Sequence, residues 1–570
     1  MTAVAAVRAA YARIAAADRP EVWITLRDED DVLAEAAALD ADPARRDLPL
    51  AGRTLAVKDN IDVAGLPTTA GCPAFASVPG ESAPAVARLV AAGAIVLGKT
   101  NLDQFATGLV GTRSPYGAVR DARRPAYVSG GSSSGSGAAV ALALVDLALG
   151  TDTAGSGRVP AAFGGIVGFK ATRGLVPLRG VVPACRTLDC VTVFASDLAA
   201  AEQAMALMAG VDAADPLSRA WPDDAPLAAP PAPRVAVPAP GQLDALTEDA
   251  RAAFAAAAER LADAGAELIP IDLTPFLAAA RLLYESTLVA ERHAAVGAFV
   301  DAHPGDVDPT VGAIVTAAGQ VPATAYVADG ERVERLRIAA MASLEGADAL
   351  LLPTTTAQPT IAAVAADPIG ANSRLGIYTN FANLFDLCGV AVPAGQADGG
   401  QFGVTVLARA FADRVAADVA TLVTGTPAAA PATAIAPPAI ELLVIGAHRR
   451  GQPLNRQLTE RGGRYLATVE TAPAYRMYAL DTEPPKPGLV RVDGGGEAVE
   501  GELWALPPAA LGTFLGALPS PMVLGPVALA DGRTVVGFGC EPLAVVGAPD
   551  ITHHRSWAAY LMARSVPAAG

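Results

Sequence analysis

Two patterns of apolar residues alternate along the first three quarters of the chain. Short continuous apolar runs have the pattern of buried strands, and they occupy residues 55–63, 93–100, 234–237, 267–271 and 349–353. Stretches with helical spacing, many of them rich in alanine, fill the intervals at residues 83–92, 197–208, 247–264 and 323–345. Strands that alternate with helices predict an α/β fold, in which a mixed and largely buried β-sheet is sandwiched by α-helices.

Three further stretches complete this prediction for the first part of the chain. Residues 2–45 contain two alanine-rich helical stretches around the short apolar segment 22–26. The apolar run Ala138–Leu149, in which only Asp146 is charged, predicts one buried helix. The interval Phe276–Val300 predicts one long helix.

The pattern changes near residue 426. Residues 426–438 are a proline- and alanine-rich run without periodicity, which is typical of a linker. After it, short strand-like runs and two short helical stretches predict a small α+β domain; they lie at residues 441–446, 488–492, 534–538, 507–517 and 556–563. We therefore expect a large domain at residues 1–425 and a small one at residues 439–570.

Composition narrows the classes of partner. The 570 residues carry a net charge of −16, which argues against a nucleic-acid surface and against an anionic membrane. No apolar run reaches the ~18 residues of a membrane span. The five cysteines are scattered without a CxxC pair, so we expect neither a disulfide framework nor a zinc site, and a cytoplasmic location fits.

Two serine- and glycine-rich runs are the strongest candidates for a catalytic site. They cover residues 128–137 and 150–158. Small residues let the backbone approach a ligand closely, and the N–H groups of Thr153, Ala154, Gly155 and Ser156 could hold a developing oxyanion. Ser156 could then attack the carbonyl, although a glycine-rich turn or a phosphate loop would show the same composition.

A serine nucleophile needs a base, and none of the five histidines lies in the first half of the chain. Lys58 ends an apolar strand, and burial would lower its pKa so that it could act as a neutral base. A surface lysine at a strand end is the ordinary alternative. Residues 93–100 match the phosphate-loop pattern GxxxxGK[ST] by letter, but the four variable residues form an apolar strand, so we reject that interpretation.

These segments resemble the amidase signature family across residues 20–425. Lys58 lies 74 residues before Ser132, which lies 24 residues before Ser156, and these intervals also resemble the family's. The resemblance implies a triad in which Ser156 is the nucleophile, Ser132 transmits the proton and Lys58 is the base. It also implies a cis peptide bond before Ser132, where Gly131 is favoured, and a reaction without metal or organic cofactor.

Two other regions resemble one group within that family, the allophanate hydrolases. Tyr284 and Arg292 are eight residues apart and are expected to share one helix face, although a core tyrosine and a solvated arginine would be ordinary alternatives. In allophanate hydrolases a tyrosine and an arginine at this spacing hold the substrate's carboxylate. Residues 444–455 and 530–541 resemble the extra C-terminal domain of these enzymes, which implies a γ-glutamylcyclotransferase-like fold.

In that domain the resemblance makes His448 a catalytic residue that titrates near neutral pH, although a lone histidine after a strand is ordinarily structural. Glu502 is expected to lie in the same pocket. Arg449 and Arg450 would either hold an acidic intermediate or face solvent. The first domain would convert allophanate to ammonia and N-carboxycarbamate, and the second would promote breakdown of that product, which gives two ammonia and two carbon dioxide overall.

The resemblance also implies a homodimer and a functional link to urea carboxylase. A general amidase, an amidotransferase subunit of the same fold and a non-catalytic scaffold remain alternatives.

Overall fold

The computed structural model describes residues 2–425 and 437–565. These residues form two compact units. Unit 1 holds the described residues up to Ala220 and from Ala232 to Gly425, and unit 2 holds Trp221–Pro231 and the described residues from 437 onward. The expected linker at 426–438 lies, apart from its last two residues, outside the described residues.

An eleven-stranded mixed sheet forms the centre of unit 1. Its strands follow the order β1-β3-β2-β4-β6-β5-β10-β11-β9-β7-β8. Their bounds are β1 Trp23–Leu26, β2 Thr54–Lys58, β3 Ile95–Thr100, β4 Leu147–Asp152, β5 Val167–Lys170, β6 Cys190–Ala195, β7 Arg234–Pro238, β8 Glu267–Ile271, β9 Ala349–Pro353, β10 Cys388–Ala397 and β11 Gly400–Ala408. Strands β2, β3 and β4 are parallel neighbours, as are β8, β7 and β9, and the remaining pairs are antiparallel.

Sixteen helices accompany this sheet in the described part of unit 1. They are α1 Ala3–Ala17, α2 Glu29–Ala41, α3 Pro43–Arg46, α4 Pro84–Ala91, α5 Ser134–Ala141, α6 Val159–Gly164, α7 Leu198–Met208, α8 Glu248–Asp263, α9 Thr274–Glu285, α10 Ala290–Ala302, α11 Pro309–Ala318, α12 Ala323–Ser343, α13 Ile361–Ala366, α14 Gly370–Leu375, α15 Phe381–Leu384 and α16 Asp413–Thr424. Helix α5 packs on β4, and α16 packs on β10. Strands β2, β3, β4 and β6 are buried at every position, as the continuous apolar pattern of such strands requires.

Two helix predictions in unit 1 are wrong. The run Ala138–Leu149 is not one helix, because α5 ends at Ala141, a turn with a left-handed Ala143 (φ 54°) follows, and Leu147 begins β4. The run Phe276–Val300 is also interrupted, because Ser286 has extended backbone angles (φ −122°, ψ −176°) between α9 and α10. Asp329 of α12 accepts hydrogen bonds from the N–H and hydroxyl of Thr287 at 2.9 and 2.6 Å, which stabilises this break.

Unit 2 contains a five-stranded sheet in the order β13-β16-β12-β18-β17 and a two-stranded sheet β14-β15. The bounds are β12 Ile440–Val444, β13 Arg464–Glu470, β14 Tyr475–Leu480, β15 Lys486–Arg491, β16 Glu500–Leu506, β17 Met522–Ala528, β18 Thr534–Cys540, α17 Arg456–Thr459, α18 Pro508–Gly516 and α19 Trp557–Ser565. The proline-rich segment 221–231 joins this unit, since the Leu227 N–H donates to the Gly462 carbonyl at 2.9 Å. The two architectures confirm the predicted α/β class with a small α+β domain.

Within the described residues, no single helix is both long and apolar enough to cross a membrane. Helices α11 and α12 reach that length and composition only together, and they are bent by 98°.

Candidate active site

Lys58 is the last residue of β2, and its side chain is completely buried. Its Nζ lies 2.8 Å from Ser132 Oγ and 2.7 Å from Thr151 Oγ1. Burial lowers the pKa of Lys58 to about 7, although the negative charges of Asp103, Asp189 and Asp152 act in the opposite direction. A lysine with this pKa is about half neutral near pH 7 and mostly neutral about one pH unit higher, where it can accept a proton.

Ser132 follows a glycine whose surroundings leave no room for a side chain. The Gly131–Ser132 peptide bond is cis, the geometry that the resemblance implies. A Cβ atom at Gly131 would lie 2.1 Å from Asp103 Oδ2 and 2.6 Å from the Gly111 nitrogen, so no other residue fits. Asp103 is fixed in turn by the N–H groups of Gly111 and Arg113, at 2.9 and 3.0 Å from its carboxylate oxygens.

Ser156 lies in the loop between β4 and α6 and is buried. Its hydroxyl donates to the Gly108 carbonyl at 3.4 Å, and within the described residues no hydrogen bond joins it to Ser132. The structure therefore shows the link from Lys58 to Ser132, whereas the step from Ser132 to Ser156 requires the Ser156 hydroxyl to turn away from Gly108.

One of the four expected oxyanion donors makes a hydrogen bond within the protein. The N–H of Gly155 donates to Asp152 Oδ1 at 2.9 Å, because the left-handed backbone at Gly155 (φ 126°) turns it toward that carboxylate. Among the hydrogen bonds of the described residues, none uses the N–H groups of Thr153, Ala154 or Ser156. These three remain available to an oxyanion.

A buried ion pair, which the sequence interpretation did not single out, braces this loop. Arg158 donates to both carboxylate oxygens of Asp152 at 2.9 Å, and neither side chain is exposed. Burial would raise the pKa of Asp152, but the Arg158 guanidinium holds it below the usual value. Asn383 accepts a further bond from Arg158 at 3.1 Å and donates to the Asp152 carbonyl at 2.8 Å. Both members of the pair belong to the 150–158 run, which is the signal that could have identified them.

Arg292 and Tyr284 do not share one helix face as expected, because the break at Ser286 places them on different helices. They are nevertheless neighbours, with the Arg292 Cζ atom 5.5 Å from the centroid of the Tyr284 ring. Arg292 is 2% exposed, and its Nε atom is buried without a hydrogen-bond partner. A buried guanidinium with an unpaired donor destabilises the fold unless a ligand accepts a hydrogen bond from that donor.

Thr107 and Gly108 connect this arginine to Ser156. Thr107 Oγ1 accepts a hydrogen bond from Arg292 Nη1 at 2.9 Å, and the next carbonyl, that of Gly108, accepts from Ser156. Arg113 donates to the Thr107 carbonyl at 2.9 Å and fixes the segment from its other side. No feature of the sequence pattern indicated Thr107.

The phosphate-loop interpretation is inconsistent with the position of Lys99, which lies in β3. Its Nζ pairs with Asp59 at 3.1 Å, and neither side chain is exposed.

Residues 2–425 and 437–565 contain no group of three or more histidine, cysteine, aspartate or glutamate side chains that could hold a metal ion.

In unit 2, His448 lines a cavity of about 490 Å³. It is 6% exposed, stacks on Phe538 at 4.9 Å and has its Nε2 atom 3.0 Å from Gln457 Oε1. Burial lowers the pKa of His448 from its ordinary value, the bond to Gln457 opposes this shift, and the charge of Lys486 lowers the pKa further.

The other charged residues that were expected at that pocket form hydrogen bonds or ion pairs with neighbouring groups. Glu502 is not among the residues that line the cavity, and its carboxylate accepts from the Arg450 N–H at 2.9 Å and from the Trp504 indole at 3.2 Å. Arg449 pairs with Glu500 at 2.6 Å. Arg449 is therefore tied to a carboxylate, whereas Arg450 reaches Glu502 at 3.4 Å but is 53% exposed and faces solvent, as one of the two expectations had it.

Comparison with known proteins identifies relatives for both units. The amidase family profile matches residues 5–415, and the profile of the allophanate hydrolase C-terminal domain matches residues 440–562. Urea amidolyase of Saccharomyces cerevisiae is 40% identical over 576 residues, which cover 94% of this chain and 31% of that protein. The chain thus spans about a third of the length of this relative.

Two other matches are relevant to function. Selenomethionine-substituted Kluyveromyces lactis allophanate hydrolase matches in structure with a TM-score of 0.90 at 36% identity, covering 99% of this chain and 97% of that one. One component of the glutamyl-tRNA(Gln) amidotransferase of Acidobacterium capsulatum is 33% identical, and the match covers 67% of this chain and 87% of that protein. These findings confirm the resemblance: the chain belongs to the amidase family and carries the allophanate hydrolase C-terminal domain.

Proposed function

We propose that this chain is an allophanate hydrolase. The observation that carries the proposal is the buried, incompletely bonded Arg292, which Thr107 and Gly108 connect to Ser156. An amide substrate that also bears a carboxylate would supply the hydrogen-bond acceptor that Arg292 lacks, while its carbonyl group faces Ser156. The C-terminal domain and the match to Kluyveromyces lactis allophanate hydrolase point to the same substrate.

The first unit releases ammonia by acyl transfer. Neutral Lys58 accepts a proton from Ser132, which takes one from Ser156 as that oxygen attacks the terminal amide carbon of allophanate. The N–H groups of Thr153, Ala154 and Ser156 stabilise the oxyanion, at a few kcal/mol per donor. The relay returns a proton to the departing nitrogen, and water then cleaves the acyl-enzyme to give N-carboxycarbamate.

The second unit acts on that product. N-carboxycarbamate breaks down to one ammonia and two carbon dioxide without further consumption of water, and His448 is the group in unit 2 that we assign to this step. The total is two ammonia and two carbon dioxide from one allophanate and one water.

The larger assembly is also part of the proposal. The urea amidolyase relative extends far beyond the region that this chain matches, which supports a functional link to a urea carboxylase that supplies allophanate. We further propose that the chain works in the cytoplasm as a homodimer.

The test is ammonia release by the purified chain from allophanate, malonamic acid, glutamine and simple aryl amides. The proposal expects two ammonia per allophanate consumed and turnover of malonamic acid. Ammonia from aryl amides alone would contradict it in favour of a general amidase, and ammonia from glutamine alone would favour an amidotransferase subunit.

Arg292→Ala is expected to raise KM for allophanate about 100-fold, because the charge-assisted bonds to the carboxylate are lost. Biuret is the matched neutral substrate, since an amide replaces the carboxylate, and its kcat/KM should change less than about threefold, the size of ordinary indirect effects. Arg292→Lys keeps the positive charge but loses the bidentate geometry of the guanidinium. Its KM for allophanate should lie between that of Arg292→Ala and that of the unmodified chain. Equal effects on allophanate and biuret would contradict the carboxylate role.

Thr107→Val is expected to raise KM for allophanate about tenfold, because the isosteric change removes the acceptor that orients Arg292 Nη1. Thr107→Ser retains that acceptor and should behave like the unmodified chain. Steady-state kinetics on allophanate and biuret measure both variants. A change in kcat for both substrates without a change in KM would show that Thr107 acts on the nucleophile instead.

A further inference from the structure

One loop of unit 1 contacts both ends of the proposed substrate site. It covers residues 184–189 and directly precedes β6. The Cys185 carbonyl accepts the N–H groups of Leu188 and Asp189, both at 2.9 Å, so the 184–189 loop closes into one compact turn. A compact turn transmits a displacement from one side to the other better than an open loop does.

Asp189 ties this loop to the segment that precedes Ser156. Asp189 is 3% exposed, and its Oδ1 atom accepts hydrogen bonds from the Thr153 hydroxyl and, at 3.2 Å, from the Cys185 N–H. Its Oδ2 atom accepts the Ala184 N–H at 2.9 Å. One carboxylate therefore holds the loop closed and also fixes Thr153, whose N–H group is proposed to stabilise the oxyanion.

Asn383 joins the same two segments at a second point. Its amide nitrogen donates to the Leu188 carbonyl at 2.9 Å and to the Asp152 carbonyl at 2.8 Å. Asp152 is the residue before Thr153. The 184–189 loop and the segment with the oxyanion donors are thus held together from two sides.

Glu291 ties the other end of the loop to the arginine. Glu291 directly precedes Arg292 in the first turn of α10. Its carboxylate accepts the Thr187 N–H at 2.9 Å and the Thr187 hydroxyl at 2.6 Å, and it also accepts the hydroxyl of Tyr326 in α12 at 3.1 Å. Paired bonds to one carboxylate fix its direction as well as its position.

Arg292 is therefore joined to the surroundings of Ser156 by two separate routes. One route is the segment 107–108. The other is the 184–189 loop with its ties at both ends. Connections on two sides restrain the distance between the guanidinium and the attacking oxygen more than one connection does.

We propose that the 184–189 loop sets the length of the substrate that the site accepts, with Asp189 and Glu291 as the positioning residues at its two ends. This deepens the proposed function and rests on it, because Arg292 is taken to bind a carboxylate while Ser156 attacks an amide carbonyl. The accepted class is small amides with one atom between the carboxylate and the amide carbonyl. Asp189 and Glu291 act through Thr153 and Arg292.

The probes are malonamic acid, with one carbon between its carboxylate and its amide, and succinamic acid, with two. Both are single anions, so a change in the charge of the site affects them alike and cancels in the ratio of their kcat/KM values. Ammonia release by the purified full chain measures both. We expect a preference for malonamic acid of about 100-fold, because a misplacement of about 1 Å costs that much.

Thr187→Val and Thr153→Val remove one hydroxyl at either end of the loop without changing a charge. Each should lower the preference for malonamic acid about tenfold, because the loop then restrains the distance less. The double variant should lower it no more than about twentyfold, since both changes weaken one connection, whereas independent effects would multiply to about 100-fold. Thr187→Ser and Thr153→Ser keep the hydroxyls and should stay within about threefold of the unmodified chain.

Thr274→Val is the matched control. Thr274 is exposed, as Thr187 is, and its N–H and hydroxyl donate to one carboxylate, that of Asp272, at the same distances of 2.9 and 2.6 Å. It lies at the start of α9, away from the 184–189 loop in sequence. This variant should leave the preference unchanged.

Equal turnover of the two acids by the unmodified chain would overturn the proposal. So would equal losses on both acids in Thr187→Val and Thr153→Val, multiplication of their effects in the double variant, or the same change of preference in Thr274→Val. Failure of the proposed function is a separate result, since it shows as absence of ammonia release from allophanate by the unmodified chain.

Discussion

Ser156→Ala is expected to lower kcat/KM for allophanate by at least about 10⁴-fold, because removal of the attacking oxygen leaves only binding and the oxyanion donors. The fold should be unaffected. The Ser156 hydroxyl makes one long hydrogen bond of 3.4 Å, to Gly108, so its loss should change the free energy of unfolding by less than about 1 kcal/mol. Ammonia release and denaturant unfolding measure the two quantities.

Ser134→Ala is the matched control for this variant. Ser134 lies in the first serine run, is 1% exposed, and its hydroxyl donates to the Asn101 carbonyl at 3.3 Å, so it shares the burial and the weak bonding of Ser156. It should retain activity within about threefold, because it touches no group of the proposed reaction. If Ser134→Ala and Ser156→Ala lost activity equally, the effect would be structural and the assignment of the nucleophile would be wrong.

Lys58→Met is expected to lower kcat/KM about 10³-fold, which is typical for the loss of a general base. In the unmodified chain the base must be neutral. Because the pKa of Lys58 is lowered to about 7, kcat/KM should fall tenfold per unit below that pH and level off above it. A pH profile of the unmodified chain that is flat from pH 5 to 8 would contradict this role.

The same substitution should stabilise the fold. Lys58 binds its proton up to about pH 7 when folded but up to its ordinary pKa of 10.5 when unfolded, so its contribution to stability increases as pH rises between these values. The shift corresponds to about 5 kcal/mol of destabilisation below pH 7, before the lost bonds to Ser132 and Thr151 are counted. Lys58→Met should therefore resist denaturant better than the unmodified chain at pH 6, and the difference should shrink toward pH 10. A variant that is less stable at pH 6 would show that the ammonium is well solvated or paired.

The three residues of the predicted triad could be singled out from sequence because they lie in short segments with unusual composition. Lys58 ends an apolar strand, and Ser132 and Ser156 lie in runs of small residues that ordinary cores do not need. The class of the fold followed from alternating patterns for the same reason, since buried parallel strands are continuously apolar.

The sequence could not reveal where the chain turns, how backbone groups are oriented, or which distant residues are in contact. The run Ala138–Leu149 is apolar except at Asp146 although it covers parts of both a helix and a strand, so its pattern does not reveal the turn at Ala143. The break at Ser286 depends on Asp329, which lies 43 positions away on another helix. In the same way, the orientation of the Gly155 N–H is set by Asp152 and a left-handed backbone, which composition does not report.

Residues that act through others were missed because their types are common. Thr107 is one threonine among many, and its importance comes only from its bond to Arg292 and from the position of the next carbonyl.

The measurement that tests the central claim most directly compares kcat/KM for allophanate and for biuret in the purified chain. The two substrates share the scissile amide and differ only in the carboxylate that Arg292 is proposed to hold. We predict a preference for allophanate of at least about 100-fold, the free-energy equivalent of two or more charge-assisted hydrogen bonds. Equal turnover of the two substrates, or faster turnover of biuret, would contradict the account.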